Sequence, residues 1–185
     1  MNSKKSIVSS MLILVLLFFY TNILYAQKYF VEDGTAFFKA EISVSSYTGT
    51  SNQLQGYIDF QSGVIEFMLP AKSIKTGNKK RDKHMYELLK VDENLNVLFK
   101  GKLIDVFDTD KLEKQTLKAK GDFTLAGFTR EITINIDLIP VQKGLHLNTS
   151  WLLLITDYNL KRPSKAFFKV KDQHQLSINT LLIKE

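Results

Sequence analysis

The chain contains no cysteine. That absence excludes disulfides, thiolate catalysis, thiolate metal ligation and a lipid-modified N-terminal cysteine. Histidine is scarce. His84, His146 and His174 are the three present, and none stands at the short spacing of recognised zinc motifs, so neither a metal nor a cofactor is expected. No Gly-x-Ser-x-Gly elbow occurs, which leaves hydrolysis without its usual signature and the chain read as a non-enzyme. A strong charge excess is also missing. The net charge of +6 falls to +4 once Lys4 and Lys5 are removed with an N-terminal leader. That is too small and too dispersed for a nucleic-acid partner, but it is compatible with peripheral contact with an anionic membrane surface.

The first 26 residues have the order of a cleavable export signal. Lys4 and Lys5 form a basic start, an apolar run including MLILVLLFFY follows, and Leu24-Tyr25-Ala26 ends on a small residue. The apolar run is shorter than the roughly 20 residues that span a bilayer, so cleavage after Ala26 is favoured over an anchor. The expected mature domain is 27–185, exported and most simply periplasmic. It is of a size common for one domain, and at 44% hydrophobic residues it can be held by its core without disulfides.

What fills the mature chain is alternation. Phe38, Ala40, Ile42 and Val44 alternate with Lys39, Glu41, Ser43 and Ser45, which is the period of a half-buried strand. Tyr47 to Gln53, rich in Ser, Thr, Gly and Asn, reads as a turn. Leu54, Ile58 and Phe60, then VIEFMLP, read as a hairpin whose second strand Pro70 should end or place on an edge. Val97 to Phe107 resumes strand character. Leu117 to Leu125 alternates next, and Ile132, Ile134, Ile136 and Leu138 give the cleanest alternation of all. Leu145 to Ile155 is a further strand, Thr156 to Lys165 an irregular connection, and Val170 to Ile183 the last strand.

Eight or nine short strands joined by local hairpins, with a single helical candidate near residues 78–90, predict an all-β antiparallel barrel. A barrel is preferred to a sandwich because closure leaves no exposed edge, and about eight strands leave room for one small ligand. The inward face is expected to carry Phe38, Ile42, Leu54, Ile58, Phe123 and Ile134, with no buried carboxylate or histidine among them. Such a lumen suits an apolar ligand. Trp151 and the LLLI after it read as core, and equally as lining if the barrel is hollow.

One polar interruption stands apart, SIKTGNKKRDKHMY from Ser73 to Tyr86. Thr76 or Asn78 can cap a short helix with Met85, Leu88 and Leu89 on its apolar side, while Arg81 and Asp82 anchor backbone groups. The competing reading takes Arg81 and His84 as contacts for an anionic head group at a barrel mouth. A second basic stretch, Lys161, Arg162, Lys165, Lys169 and Lys171, interleaves with Phe167 and Phe168. It reads first as a solvated strand face and second as a contact for phospholipid or a lipid phosphate.

SIKTGNKKRDKHM resembles the S-I-x-T-G-N-x-x-R-D-x-H-L motif of the YceI-like proteins, exported lipocalin-like barrels associated with polyisoprenoid binding. GDFTLAGFTR from Gly121 to Arg130 resembles that family's G-x-L-T-L-x-G-x-T-[KR] hairpin, and Thr156-Asp157-Tyr158-Asn159-Leu160 resembles its late D-Y-G turn. The chain departs from the family in lacking the aromatic pair and Tyr-Pro that usually follow the histidine, and in carrying Asn159 for the usual glycine. The resemblance implies a lipocalin-like β-barrel that holds a long apolar or amphiphilic lipid of isoprenoid or quinone type. It places Asn78, Arg81, Asp82, His84, Asp157 and Tyr158 in rim motifs. The alternative expectation is a filled barrel acting as an exported interaction or stress-related module without lipid.

Overall fold

The computed structural model describes residues 28–43, 45–165 and 168–185, so the expected leader over 1–26, together with Val44 and Phe167, lies outside the described residues. The alternation becomes wall. In order, the strands are β1 (Lys28–Ile42), β2 (Ser45–Asp59), β3 (Val64–Pro70), β4 (Asn96–Leu103), β5 (Gln115–Leu125), β6 (Phe128–Val141), β7 (Gly144–Leu154), β8 (Ser164–Lys165) and β9 (Phe168–Lys184). Helix α1 (Lys79–Leu89) separates β3 from β4. Each strand from β1 to β7 pairs antiparallel with the next, β7 pairs with β9, and β9 pairs back with β1, which closes an eight-stranded barrel. β8 is a two-residue flap on β9.

The expected all-β lipocalin-like barrel is therefore the observed fold. Apolar residues point inward, as Ile134, Ile136 and Leu138 do along β6, while lysines and acids such as Lys118, Lys120 and Glu131 line the outside. That polarity is the reverse of a membrane-spanning barrel, whose apolar face is outermost. Among the described residues no helix is long and apolar enough to cross a membrane.

Two sequence expectations change. Tyr47 to Gln53 is not a turn but the first half of β2, paired with Phe37 to Ala40 and their neighbours on β1. Its small residues serve close approach: a Cβ on Gly49 would lie 2.2 Å from the Phe38 ring. The strand expected over Val97 to Phe107 ends at Leu103, and Phe107 folds back to stack on Phe60 at 4.3 Å between ring centroids.

The barrel has a solid end and an open end. At the solid end, near the β2–β3 and β6–β7 hairpins, Ile58, Ile65, Leu138, Leu147 and Leu182 are completely buried. Toward the other end the wall splits along two seams. β2 pairs with β3 only from Gln55 to Ile58, leaving Ser45 to Leu54 without a β3 partner. β6 pairs with β7 only from Ile136 onward, so Phe128 to Asn135 and Ser150 to Leu154 part from each other.

Each seam is covered by one of the polar segments. The first is crossed by Ala71 to Asn78: Lys75 exchanges two 2.8 Å backbone bonds with Thr50, and the Ser73 and Ser51 hydroxyls meet at 2.6 Å. The second is occupied by a short 3-10 turn, Ile155–Tyr158, whose Ile155 and Tyr158 are buried. Asn159 ends that turn in the left-handed region at φ 56°, a conformation asparagine tolerates better than most residues.

Candidate ligand-binding cavity

Where the strands splay, side chains from opposite walls no longer meet, and a cavity of about 1190 Å³ opens between them. Ordinary small-molecule pockets run to roughly 300–1,000 Å³, so this one has room for a long tail. Leu54, Phe67, Phe99, Phe123, Leu153, Leu176 and Ile178 form its walls.

α1 lies at the mouth. Asn78 caps it, its side-chain oxygen accepting from the backbone N–H groups of Lys80 and Arg81 at 3.1 Å each. This satisfies two of the donors that a helix start leaves unpaired. Asp82 sits in the first turn, and its Oδ1 accepts from the Thr76 backbone N–H at 2.8 Å and the Thr76 hydroxyl at 2.6 Å. The Thr76 hydroxyl bond, ahead of the other contributions, holds the Asp82 carboxyl below its usual range. The Tyr86 hydroxyl ties the helix back to the crossing segment, its single proton within reach of the Ile74 and Lys72 carbonyls at 2.7 and 2.9 Å. The apolar side of the helix then delivers Met85, Leu88 and Leu89 to the cavity.

The residues expected in the lumen divide. Phe38, Ile42, Leu54, Phe123 and Trp151 border the cavity, whereas Ile58 and Ile134 do not. Ile58 stands opposite Ile65 where β2 is paired on both sides, and Ile134 stands opposite Ala119 on β5, two residues from where β6 joins β7. Facing side chains there are close enough to fill the interior. Of the rim residues, Asn78, Arg81 and His84 border the cavity. Asp82 instead faces Thr76, Asp157 is exposed, and Tyr158 is buried with its ring edge-on to Phe123 at 5.7 Å.

The expectation of a lumen without histidine needs correction. His174 borders the cavity, its ring stacked on Phe38 at 5.9 Å and 12°, and burial pushes its pKa below the ordinary 6.5 so that the neutral form prevails at pH 7. Its Nε2 and the Trp151 Nε1 are buried, with no hydrogen-bond partner among the described residues. His174 shares the parity of Leu176 and Ile178, so the β9 alternation carried the signal. Lys161 and Arg162, read from sequence as a solvated face, also border the cavity, as Lys80 and Arg81 of α1 do. Arg81 lies over the Tyr47 ring with its guanidinium carbon 4.3 Å from the centroid. Burial raises the Tyr47 pKa, and the Arg81 charge offsets part of that rise. Among the described residues no group of three His, Asp or Glu side chains is placed to hold a metal.

The YceI-like domain model matches residues 29–182, nearly the whole described barrel. The chain belongs to the YceI-like family. No curated protein matches it. Among solved structures, a polyisoprenoid-binding domain from Saccharophagus degradans implicated in plant cell wall breakdown superposes with a TM-score of 0.72 at 11% identity, covering 86% of this chain and 99% of that one. BcnA of Burkholderia cenocepacia gives 0.66 at 10% identity, with 82% and 96% covered. The YceI protein of Campylobacter jejuni gives 0.55 at 17% identity, with 90% and 88% covered. At such identities the likeness is one of fold. The YceI-like barrel shares its architecture with these proteins.

Proposed function

We propose that this YceI-like barrel is an exported, periplasmic carrier that buries a long apolar or amphiphilic molecule of isoprenoid or quinone type. The observation that carries the reading is the apolar cavity of about 1190 Å³ in the splayed half of the barrel. The polyisoprenoid-binding fold neighbour supports the ligand class, and the leader-like first 26 residues support export.

Binding proceeds by removing the tail from water. At about 25 cal/mol per Å², each 100 Å² of buried tail contributes roughly 2.5 kcal/mol. The side chains bordering the cavity are chiefly aliphatic and aromatic, which favours holding over chemistry. A filled barrel describes only the solid half, so a surface-acting module without ligand is the weaker reading.

The test is organic extraction of purified protein followed by mass spectrometry. A co-purifying long-chain isoprenoid or quinone is expected. Protein that yields none, and whose Trp151 emission is unchanged by added prenyl alcohols or quinones, overturns the carrier reading.

A further inference from the structure

One titratable ring lies on the wall of the apolar cavity. His174 stands on the inward side of β9, opposite Ala40 of β1 on one flank and Leu153 of β7 on the other, and it borders the cavity. Its ring lies nearly parallel to that of Phe38 at 5.9 Å, and its Nε2 is covered, with no partner among the described residues. A neutral imidazole tolerates this setting far better than a charged one. Protonation adds a donor that has no acceptor, and it adds a charge where water is excluded.

The surroundings offer a charged ring little. β1 turns Phe38 and Ala40 inward and keeps Lys39 and Glu41 exposed, with Glu41 paired to Lys171. Tyr47 of β2 stands beyond Phe38, edge-on to it at 6.0 Å, and burial raises its pKa so that the phenol stays neutral. Of the charged groups bordering the cavity, Arg81 lies over Tyr47, Glu87 faces His84 and Lys83, and Arg162 donates to the Val170 carbonyl, while Lys80 and Lys161 are cations too. Asp172 and the Lys171 backbone favour the proton, and burial outweighs both.

Behind the ring β9 is paired on both sides, so the one direction in which a protonated ring can reach water is the cavity itself. That is the space the apolar tail needs. We propose that His174 is an acid-release switch: its protonated ring leaves the Phe38 stack and turns into the cavity, so that proton and tail compete for one space. The switch rests on the carrier reading above and adds its regulation, whatever head group the ligand carries. The competition is reciprocal. A bound tail holds the ring neutral, and each pH unit below the pKa of the ring weakens tail binding by up to about tenfold.

The test titrates purified protein with geranylgeraniol, whose uncharged alcohol does not itself respond to pH, between pH 7.5 and 4.5. Binding is read from the emission of Trp151, the single tryptophan, and circular dichroism at each pH follows the barrel. Affinity is expected to fall at least about fivefold across this range and to recover on return to pH 7.5. H174F keeps a ring to stack on Phe38 and H174Q keeps a polar group, but neither titrates, so both should bind equally at the two ends. D172N should retain the fall, because the neighbouring carboxylate is not the switch. By proton NMR, the His174 ring signal, assigned by its absence in H174F, should titrate at lower pH with geranylgeraniol bound than without.

A native affinity that does not change with pH, or a fall that H174F and H174Q share, overturns the switch and leaves the carrier reading standing. So does a His174 titration that is the same with and without ligand, or a loss of binding that coincides with unfolding. Failure of geranylgeraniol to bind at any pH overturns both.

Discussion

The Asp172 carboxylate accepts both the backbone N–H and the hydroxyl of Thr156, at 3.1 and 2.7 Å. Asp82 accepts the same two groups from Thr76. Each Thr–Asp clasp fastens the polar segment that covers one seam, Thr76–Asp82 between β2 and β3, Thr156–Asp172 between β6 and β7. Thr76–Asp82 ties the crossing segment to α1, and Thr156–Asp172 ties the 3-10 turn to β9.

Breaking a clasp should loosen its seam. Asp172→Ala and Asp82→Ala remove acceptors that each serve two donors, and each is expected to cost about 1–3 kcal/mol. Urea denaturation gives the loss in stability, and hydrogen exchange should localise it to Thr156–Leu160 in one variant and Ser73–Asn78 in the other. A uniform rise in exchange across the barrel would argue against separate seams.

The clasps also set an acid limit. The Thr76 hydroxyl leads in lowering the Asp82 pKa, while at Asp172 burial pushes upward and is outweighed by the Thr156 bonds and the Arg162 charge. Because both folded pKa values lie below the usual 3.8, their stabilisation is complete above that value and is lost as pH falls through the folded values. A pH series of thermal unfolding should therefore steepen at the acid end, and Asp82→Asn should flatten it.

His174 acts at higher pH. Burial depresses its pKa, so below the ordinary 6.5 the unfolded chain takes up a proton that the folded one resists, and stability declines as pH falls from that value. Only Asp172, and the Lys171 backbone, pull the other way. His174→Leu should remove the slope between about pH 5 and 7, measured by denaturation midpoints. An unchanged slope would mean that the ring binds its proton equally in the folded and unfolded chain.

The solid and hollow halves should respond oppositely to substitution. Ile58→Ala opens a void in filled packing and is expected to cost about 2–5 kcal/mol with little effect on ligand yield. Leu176→Trp projects bulk into the cavity, so it should reduce extracted ligand severalfold while leaving stability within about 1 kcal/mol. Paired extraction and denaturation measurements separate the two halves.

Much of this protein is written locally. The two-residue period along β5, β6 and β9 marks strands and assigns faces, because alternate side chains must point to opposite sides of a pleated chain. The Asn78 cap and the left-handed Asn159 follow from the hydrogen-bonding habits of single residues. His174 was legible in the same way, by parity with Leu176 and Ile178. Tyr47 to Gln53 reads as a turn because its small polar residues are those of a turn, and only its pairing with the distant β1 makes it a strand.

By itself, then, the sequence determined an antiparallel barrel with a capped helix and two polar interruptions. Only the tertiary structure decided that the interruptions cover two seams, that Ile58 and Ile134 lie away from the cavity while Phe38 and Trp151 border it, and that Lys161 and Arg162 border the same cavity as Lys80 and Arg81. The reason is physical. Periodicity fixes which way a side chain points, but whether it meets another or faces a cavity depends on where strands distant in the chain stop pairing.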